Sequence, residues 1–315
     1  MADQPKYTKG AGNHMIQTFA KNSFTSSFEA GFEPRLLSAS NIDADFCKHS
    51  RILHSHPDRL ELMFIRTGTG TYIVNDKPYD IKAGDIIICN ANVLHDEVPH
   101  KNKNLSTLSI AVTNVKLSGL PENHLIASDV CPVMEIEKHH VLFDAIIQTI
   151  FDSLAFGNDN QPETNHYLTL SLLSWLIQAF NHFGTPQSAT ISKTDQTLTE
   201  IKNYIDTNYC EDLSLQKISD CFFISPSHLS HLFKRKLGYS PMHYIVRRRI
   251  GEAQSLLILT RKSITEIAST VGFDNLSHFN VQFKKYVGLS PLTYRKKYTL
   301  PLSDKSGQAS DKATK

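Results

Sequence analysis

Residues 227–244 read SHLSHLFKRKLGYSPMHY, and residues 277–294 read SHFNVQFKKYVGLSPLTY. Eight of the 18 aligned positions are identical: Ser227/Ser277, His228/His278, Phe233/Phe283, Lys234/Lys284, Gly238/Gly288, Ser240/Ser290, Pro241/Pro291 and Tyr244/Tyr294. N-terminal to this block the best offset drops from 50 to 49, with Ile218-Ser219 matching Ile267-Ala268, so the second copy has one extra residue in its turn. One duplication makes two copies of a small unit, not a solenoid.

Each copy reads as two helices and a turn. Asp212-Leu213-Ser214 opens a short helix with a capping residue, and Leu215 and Ile218 form its apolar face. Ser225-Pro226 starts the next helix with a cap and a proline at its first position. Leu229, Leu232, Phe233 and Leu237 then face inward, leaving His228, Ser230, His231, Lys234 and Arg235 outside, and Gly238 ends the helix. The second copy runs Ile264, Ile267, Ala268 and Val271, a Gly272-Phe273-Asp274 turn, then buries Phe279 and Phe283 and stops at Gly288. Two helices with a short turn, the second bearing polar groups on a basic face, is a helix-turn-helix.

Charge marks the same half of the chain. The 315 residues carry a net charge of +2, but residues 1–190 hold −6 and residues 191–315 hold +8. A basic piece of that size is a candidate for binding a polyanion such as double-stranded DNA. The small, polar stretch 184–194 lies where the sign flips and is expected to be a linker. No apolar run approaches the ~18 residues of a spanning helix, and MADQPKYTKGAGNH has no apolar core, so neither a membrane nor a signal peptide is expected. Cys47, Cys89, Cys131, Cys210 and Cys221 form no C-x-x-C pair and are expected to be reduced, mostly buried thiols of a cytoplasmic protein.

The acidic half changes period along its length. Residues 1–22 are polar and aperiodic, a flexible arm. Over 23–135, short β-branched and aromatic runs such as Leu62–Ile65, Thr71–Val74, Ile86–Cys89 and Leu108–Val112 alternate with turns, which predicts a barrel or sandwich. Over 136–183, Val141, Leu142, Ala145, Ile146, Thr149, Ile150 and Leu154, then Leu168, Leu172, Trp175, Leu176 and Ala179, recur at helical spacing. A helical hairpin is expected, with one stripe on the barrel and another, including Leu168 and Leu172, joining two protomers. Residues 195–298 are expected to be all α, and 299–315 a disordered tail. The fold class is therefore α+β in two domains.

The strings SPSHLSHLFKRKLGYSP…RRRIGEAQSLL and SITEIASTVGFDNLSHFNVQFKKYVGLSPLTYRK resemble the paired DNA-binding motifs of the AraC/XylS family of transcription regulators over about 100 residues, linking helix included. The resemblance implies base contacts from Ser227, Ser230 and His231 in the first copy and from Ser277, His278, Asn280 and Val281 in the second. Val281 departs from the family, where a base-reading Arg is common, and implies a weaker or more apolar readout. Lys234, Arg235, Lys284 and Lys285 lie further along and are expected to meet phosphate. The resemblance makes one of Arg247, Arg248 and Arg249 a domain-packing or backbone contact, and a solvated basic face is the alternative. Two units on one rigid helix would enter successive major-groove faces ~10 bp apart.

His54-Ser-His56-Pro-Asp-Arg-Leu-Glu61, followed by Gly68, and Gly84 with Asn90-Ala-Asn92 and His95, resemble the two cupin motifs. The resemblance puts His54, His56, Glu61 and His95 at four metal-ligand positions. The family's Pro-x-Gly is Asn90-x-Asn92 here, and its closing Asn falls on Pro99. On an extended strand, His54 and His56 project from the same face. With a carboxylate and a third imidazole they suit Fe, Mn, Ni or Zn. AraC-type barrels often keep such a motif while binding an organic effector without metal, so no cofactor is required and the four residues serve equally as an effector pocket. An interior with His, Glu, Arg and Tyr suits a sugar, with a small acid as runner-up.

The sequence thus implies a cytoplasmic, homodimeric regulator rather than an enzyme. It is an activator that answers to a sugar-like small molecule and works on double-stranded DNA with the transcription machinery. Two other classes compete: a metal-dependent cupin enzyme carrying a DNA-binding domain, and an architectural DNA binder with a structural barrel.

Overall fold

The computed structural model describes residues 23–44, 52–98, 103–136, 139–157, 161–183 and 193–298. The expected arm, the tail, Cys47, Pro99 and residues 184–192 of the expected linker lie outside them, while the linker's last two residues, 193 and 194, are already helical. The N-terminal domain is one antiparallel sheet of β1 (Arg35–Ile42), β2 (Leu60–Val74), β3 (Lys77–Lys82), β4 (Asp85–Cys89), β5 (His95–Glu97), β6 (Lys103–Thr113) and β7 (Val133–Glu135), followed by α1 (His140–Phe156) and α2 (Pro162–Phe183). The path runs β1-β6-β2-β4-β7, with β3 and β5 added along the far half of β2.

The 15-residue β2 is the spine, and its period of two divides the domain into two cores. Leu60, Leu62 and Phe64 pair in register with Val112, Ile110 and Leu108 and face the helices, where Phe143, Ile147, Ile150, Leu172, Leu173 and Leu176 cover them. Met63 and Ile65 point the other way and pack with Tyr72, Val74, Ile81, Ile87, Cys89 and Leu105, the barrel interior. Glu61 shares that inner alternation and sits opposite Cys89 on β4.

The hairpin forms as expected but turns differently. On α1 the sheet-facing stripe is Phe143, Ile147 and Ile150, while Val141, Leu142 and Leu154 are exposed. On α2, Leu172 is fully buried against the sheet and is not free to join a second protomer, while Leu168 is half-buried beside it. Apolar side chains on several sides of a helix do not declare which side meets the core. The cysteines also differ from expectation: Cys89 is buried, Cys131 half-buried, and Cys210 and Cys221 exposed, all as free thiols.

The C-terminal domain comprises α3 (Lys193–Asn208), α4 (Leu215–Cys221), α5 (Pro226–Leu237), α6 (Pro241–Leu259), α7 (Ile264–Thr270), α8 (Leu276–Val287) and α9 (Pro291–Tyr298). The caps expected at Ser214 and Ser225 form, and the second unit adds two beyond those expected. Ser214, Ser225 and Asn275 accept from the backbone N–H groups of Lys217, His228 and His278, and Ser263 with Glu266 closes a capping box. Leu229, Leu232 and Phe233 are buried in the first unit and Phe279, Phe283 and Val287 in the second. The two turns solve one problem differently. Gly272 takes φ +86, where an added Cβ would meet the Cys210 carbonyl, while the equivalent Phe223 holds φ +54 with its ring 97% exposed. A bulky residue in the left-handed region costs of order 1 kcal/mol.

Helix α6 joins the two units and also seats the N-terminal domain. Ile52 packs into the core of the second unit, and Leu53 and Leu94 into that of the first. The Ile52 N–H donates to Gln254 Oε1 at 3.0 Å. At Gly251 the helix meets the carbonyls of Ile52 and Leu53 so closely that a Cβ would overlap both. Arg247 pairs with buried Asp96, and Lys202 of α3 with Asp76 in the β2–β3 turn.

Candidate functional site

In the barrel, the four sequence-predicted residues converge. His54 and His95 oppose one another across an isolated antiparallel bridge, with His54 N–H on the His95 carbonyl at 3.0 Å and His95 N–H on the His54 carbonyl at 2.9 Å. Their ring centroids are 4.2 Å apart, and His56 lies 5.1 Å from His54 and 5.6 Å from His95. Glu61 Oε2 is 3.5 Å from His56 Nε2 and 3.4 Å from His95 Nε2. One donor atom from each of the four lies within 4.8 Å of all the others, and the three imidazoles are buried.

The departures from the cupin pattern are locally repaired. Asn92 takes φ +62, the left-handed conformation that glycine would otherwise supply and that asparagine tolerates. Asn90 donates to the Ile126 carbonyl at 2.8 Å and accepts from the Leu125 N–H at 2.9 Å, pinning the loop.

The proton inventory of the cluster is informative. The Val93 carbonyl lies 2.9 Å from His95 Nδ1. A carbonyl only accepts, so Nδ1 carries the proton and the neutral ring turns a lone pair on Nε2 toward Glu61. Lone pair then faces carboxylate oxygen in a buried site, and a cation between them, either a proton or a metal ion, resolves the repulsion. Burial by itself would raise the Glu61 carboxyl, but His56 and His95 hold it well below the ordinary carboxylate range. Burial opposes charge on His95, yet Cys89 and Glu61 beside it lift its pKa well above the usual imidazole value. The donor set, buried and anionic at its centre, fits a divalent transition metal.

On the helical domain the predicted DNA-facing residues lie outside the core. Ser227, His231, Ser277, His278, Asn280 and Val281 are exposed and Ser230 is half-buried, while Lys234, Arg235, Lys284 and Lys285 are exposed. Val281, 64% exposed, is a β-branched apolar side chain on an otherwise polar face. The three consecutive arginines do not form a solvated basic face. Arg247 binds Asp96, Arg248 reaches the Leu53 carbonyl at 3.4 Å and Asp206 at 3.3 Å, and Arg249 donates to the carbonyls of Tyr209 and Glu211, both at 2.7 Å. Two of the three therefore pack between domains.

Sequence reasoning missed Ile52, Asp76, Asp96, Lys202, Gly251 and Gln254. The one signal available was Gly251, a glycine inside an otherwise regular helical pattern, which marks a packing reason when it is kept there.

A sheet domain with a buried polar cluster, seated on paired helix-turn-helix units, is the architecture of a DNA-binding transcription regulator with a ligand-binding domain. Two family models match it in order, an AraC-like ligand binding domain over residues 40–173 and a helix-turn-helix domain over 218–297. The chain belongs to the AraC family of transcription regulators. It is 27% identical over 288 residues to the uncharacterized HTH-type transcriptional regulator YdiP of Escherichia coli K12, covering 90% of this chain and 93% of that one. It is 23% identical over 275 residues to the HTH-type transcriptional activator RhaS of Enterobacter sp. 638, covering 85% and 94%. Among solved structures, the C-terminal domain of AraT, a response regulator from Geobacillus stearothermophilus, matches with 30% identity and a TM-score of 0.35, covering 38% of this chain and 98% of that one. Among the described residues, no helix is long and apolar enough to cross a membrane.

Proposed function

We propose that the chain is a cytoplasmic transcriptional activator that binds double-stranded DNA through both helix-turn-helix units and answers to a ligand anchored on His54, His56, Glu61 and His95. The observation that carries this is the shared helix α6: it joins the two recognition helices and is itself packed on segments 52–54 and 94–96, which hold two of the four cluster residues. Relatives named as transcription regulators, RhaS as an activator, support regulation over catalysis. The transcription machinery is the partner an activator requires.

In DNA, Ser227, Ser230, His231, Ser277, His278, Asn280 and Val281 read base edges, and Lys234, Arg235, Lys284 and Lys285 meet phosphate. DNA fragments selected from a random pool by the full chain should be titrated across salt. Asn280→Ala is expected to cost about 1–3 kcal/mol and relax preference at one base pair. Lys284→Ala is expected to weaken all sequences alike and lower the salt slope by about one. Binding without sequence preference would overturn the assignment.

The ligand is, or includes, a divalent metal held by His54, His56, Glu61 and His95. When bound, it supplies a positive centre on which an organic effector's oxygens can be oriented. A sugar-like effector has less support than the sequence implied. Arg59 pairs with Asp58 and Arg66 binds Asp144 of α1, so neither arginine is left to a ligand, and the inner face carries Met63, Ile65, Tyr72, Val74 and Leu105 together with buried Thr107, Ser109 and Glu97. Titration with Co(II), followed by its visible absorption, is expected to saturate at one ion per chain. Glu61→Gln removes the central anion and should weaken that binding by at least about 100-fold. Metal-dependent turnover of a substrate would instead favour the cupin enzyme. The active species is a homodimer joined through the helical hairpin, whose Val141, Leu142, Phe156 and Tyr167 remain exposed.

A further inference from the structure

We propose that the effector cluster is completed by the DNA-binding domain: helix α6 positions His54 and His95, so that Gly251, Gln254 and Arg247 are positioning residues for a site they do not touch. The inference rests on the cluster binding a divalent metal, and it adds that the N-terminal domain does not hold the four donors in place by itself.

The chain connectivity makes the case. His54 is preceded by Ile52 and Leu53, whose side chains belong to the cores of the second and first helix-turn-helix units respectively. The backbone of this pair is held on α6 at three points. Ile52 N–H donates to Gln254, the carbonyls of Ile52 and Leu53 rest on Gly251, and the Leu53 carbonyl accepts from Arg248. His95 is held from both sides as well: Leu94 packs into the first unit, and Asp96, almost wholly buried, pairs with Arg247. His54 and His95 pair with each other by two backbone hydrogen bonds, so the bridge carrying half the donor set spans from one α6 anchor to the other. A shift of α6 moves both imidazoles against His56 and Glu61. Conversely, a cation that draws the four donors together fixes the two segments on which α6 is seated.

Gly251 identifies the contact at which this can be broken. Alanine is the better helix former, so Gly251→Ala favours α6 itself. Its methyl group, however, would displace the Ile52 and Leu53 carbonyls while leaving all four donors and both recognition helices unchanged in sequence. Coupling between two sites is reciprocal, so metal and operator DNA must change each other's affinity by one common factor.

The test uses the full chain, Co(II) as probe, and DNA selected by the wild type. Gly251→Ala is expected to bind Co(II) at least about 10-fold more weakly than wild type. The change in DNA affinity caused by Co(II), expected to be about 5-fold or more in wild type, should collapse toward none in the variant. Gln254→Leu, which removes the acceptor for Ile52 N–H, should move both readouts the same way by a smaller factor. Circular dichroism and cooperative melting establish that each variant is folded. Equal Co(II) affinity in folded wild type and Gly251→Ala overturns the inference while leaving the metal site intact. Wild type that binds no Co(II) overturns the metal site. Hydrogen exchange then decides the seam: DNA binding should change exchange at the His54 and His95 amides in wild type and not in Gly251→Ala, and unchanged exchange in both overturns it.

Discussion

Replacing Arg247 with methionine is expected to destabilise the protein by about 3–5 kcal/mol, read by chemical denaturation of the full chain, because it strands a buried carboxylate. Asp96 is 2% exposed, and Arg247 is its ion-pair partner. Burial pushes the Asp96 carboxyl up, and the guanidinium beside it offsets only part of that. The pair is thus a costly way to hold two surfaces together. Converting both partners, Asp96→Leu with Arg247→Met, is expected to recover most of the loss, since apolar groups of similar size often match or exceed a buried ion pair. The pair's use is in orientation. An apolar contact tolerates sliding, whereas a buried carboxylate on the residue after His95 accepts only one placement of α6. The double variant should therefore melt near wild type and yet show a weakened response of DNA binding to Co(II). A double variant as unstable as Arg247→Met alone would show that Asp96 is not the group left unpaired.

The paired units were legible in the sequence because their information is local. Each helix start carries its own capping side chain, each recognition helix places Leu or Phe at i and i+4, and the copy fifty residues on repeats the pattern. The barrel cluster was legible for two reasons: a period of two puts His54 and His56 on one face, and the resemblance to the cupin motifs picks out Glu61, the single charged residue in LELMFI, and His95. The seam was not legible. Its contacts pair residues 52–53 and 96 with residues 247–254, and no periodicity within either segment reveals a partner 150 to 200 positions away. Arg247, Arg248 and Arg249 were legible only in part: the family resemblance marked one of them as a domain-packing or backbone contact, and the fold turns all three to carbonyls and acidic side chains, two of them between the domains. The hairpin was misjudged in its rotation. Val141 and Leu142 precede Phe143 directly, and only the sheet's position selects Phe143, Ile147 and Ile150 as the buried stripe.

That rotation separates two substitutions that sequence alone would have treated alike. Leu172→Asp is expected to unfold the N-terminal domain, at a cost above about 4 kcal/mol, because it combines a lost core side chain with a buried, unpartnered charge. Leu172 is 1% exposed within a cluster that includes Leu62, Ile110, Phe143 and Ile147, and the described residues of that cluster offer it no cation. Loss of dimers in this variant would therefore say nothing about an interface. Val141→Asp places the same charge on a side chain that is 66% exposed, where desolvation is slight, so its melting should stay within about 0.5 kcal/mol of wild type. If the hairpin joins two protomers through its exposed apolar residues, sedimentation of Val141→Asp should shift toward monomer while its circular dichroism is unchanged. A Val141→Asp chain that remains dimeric, together with a folded Phe156→Asp chain that does the same, would place the protomer contact elsewhere on the molecule.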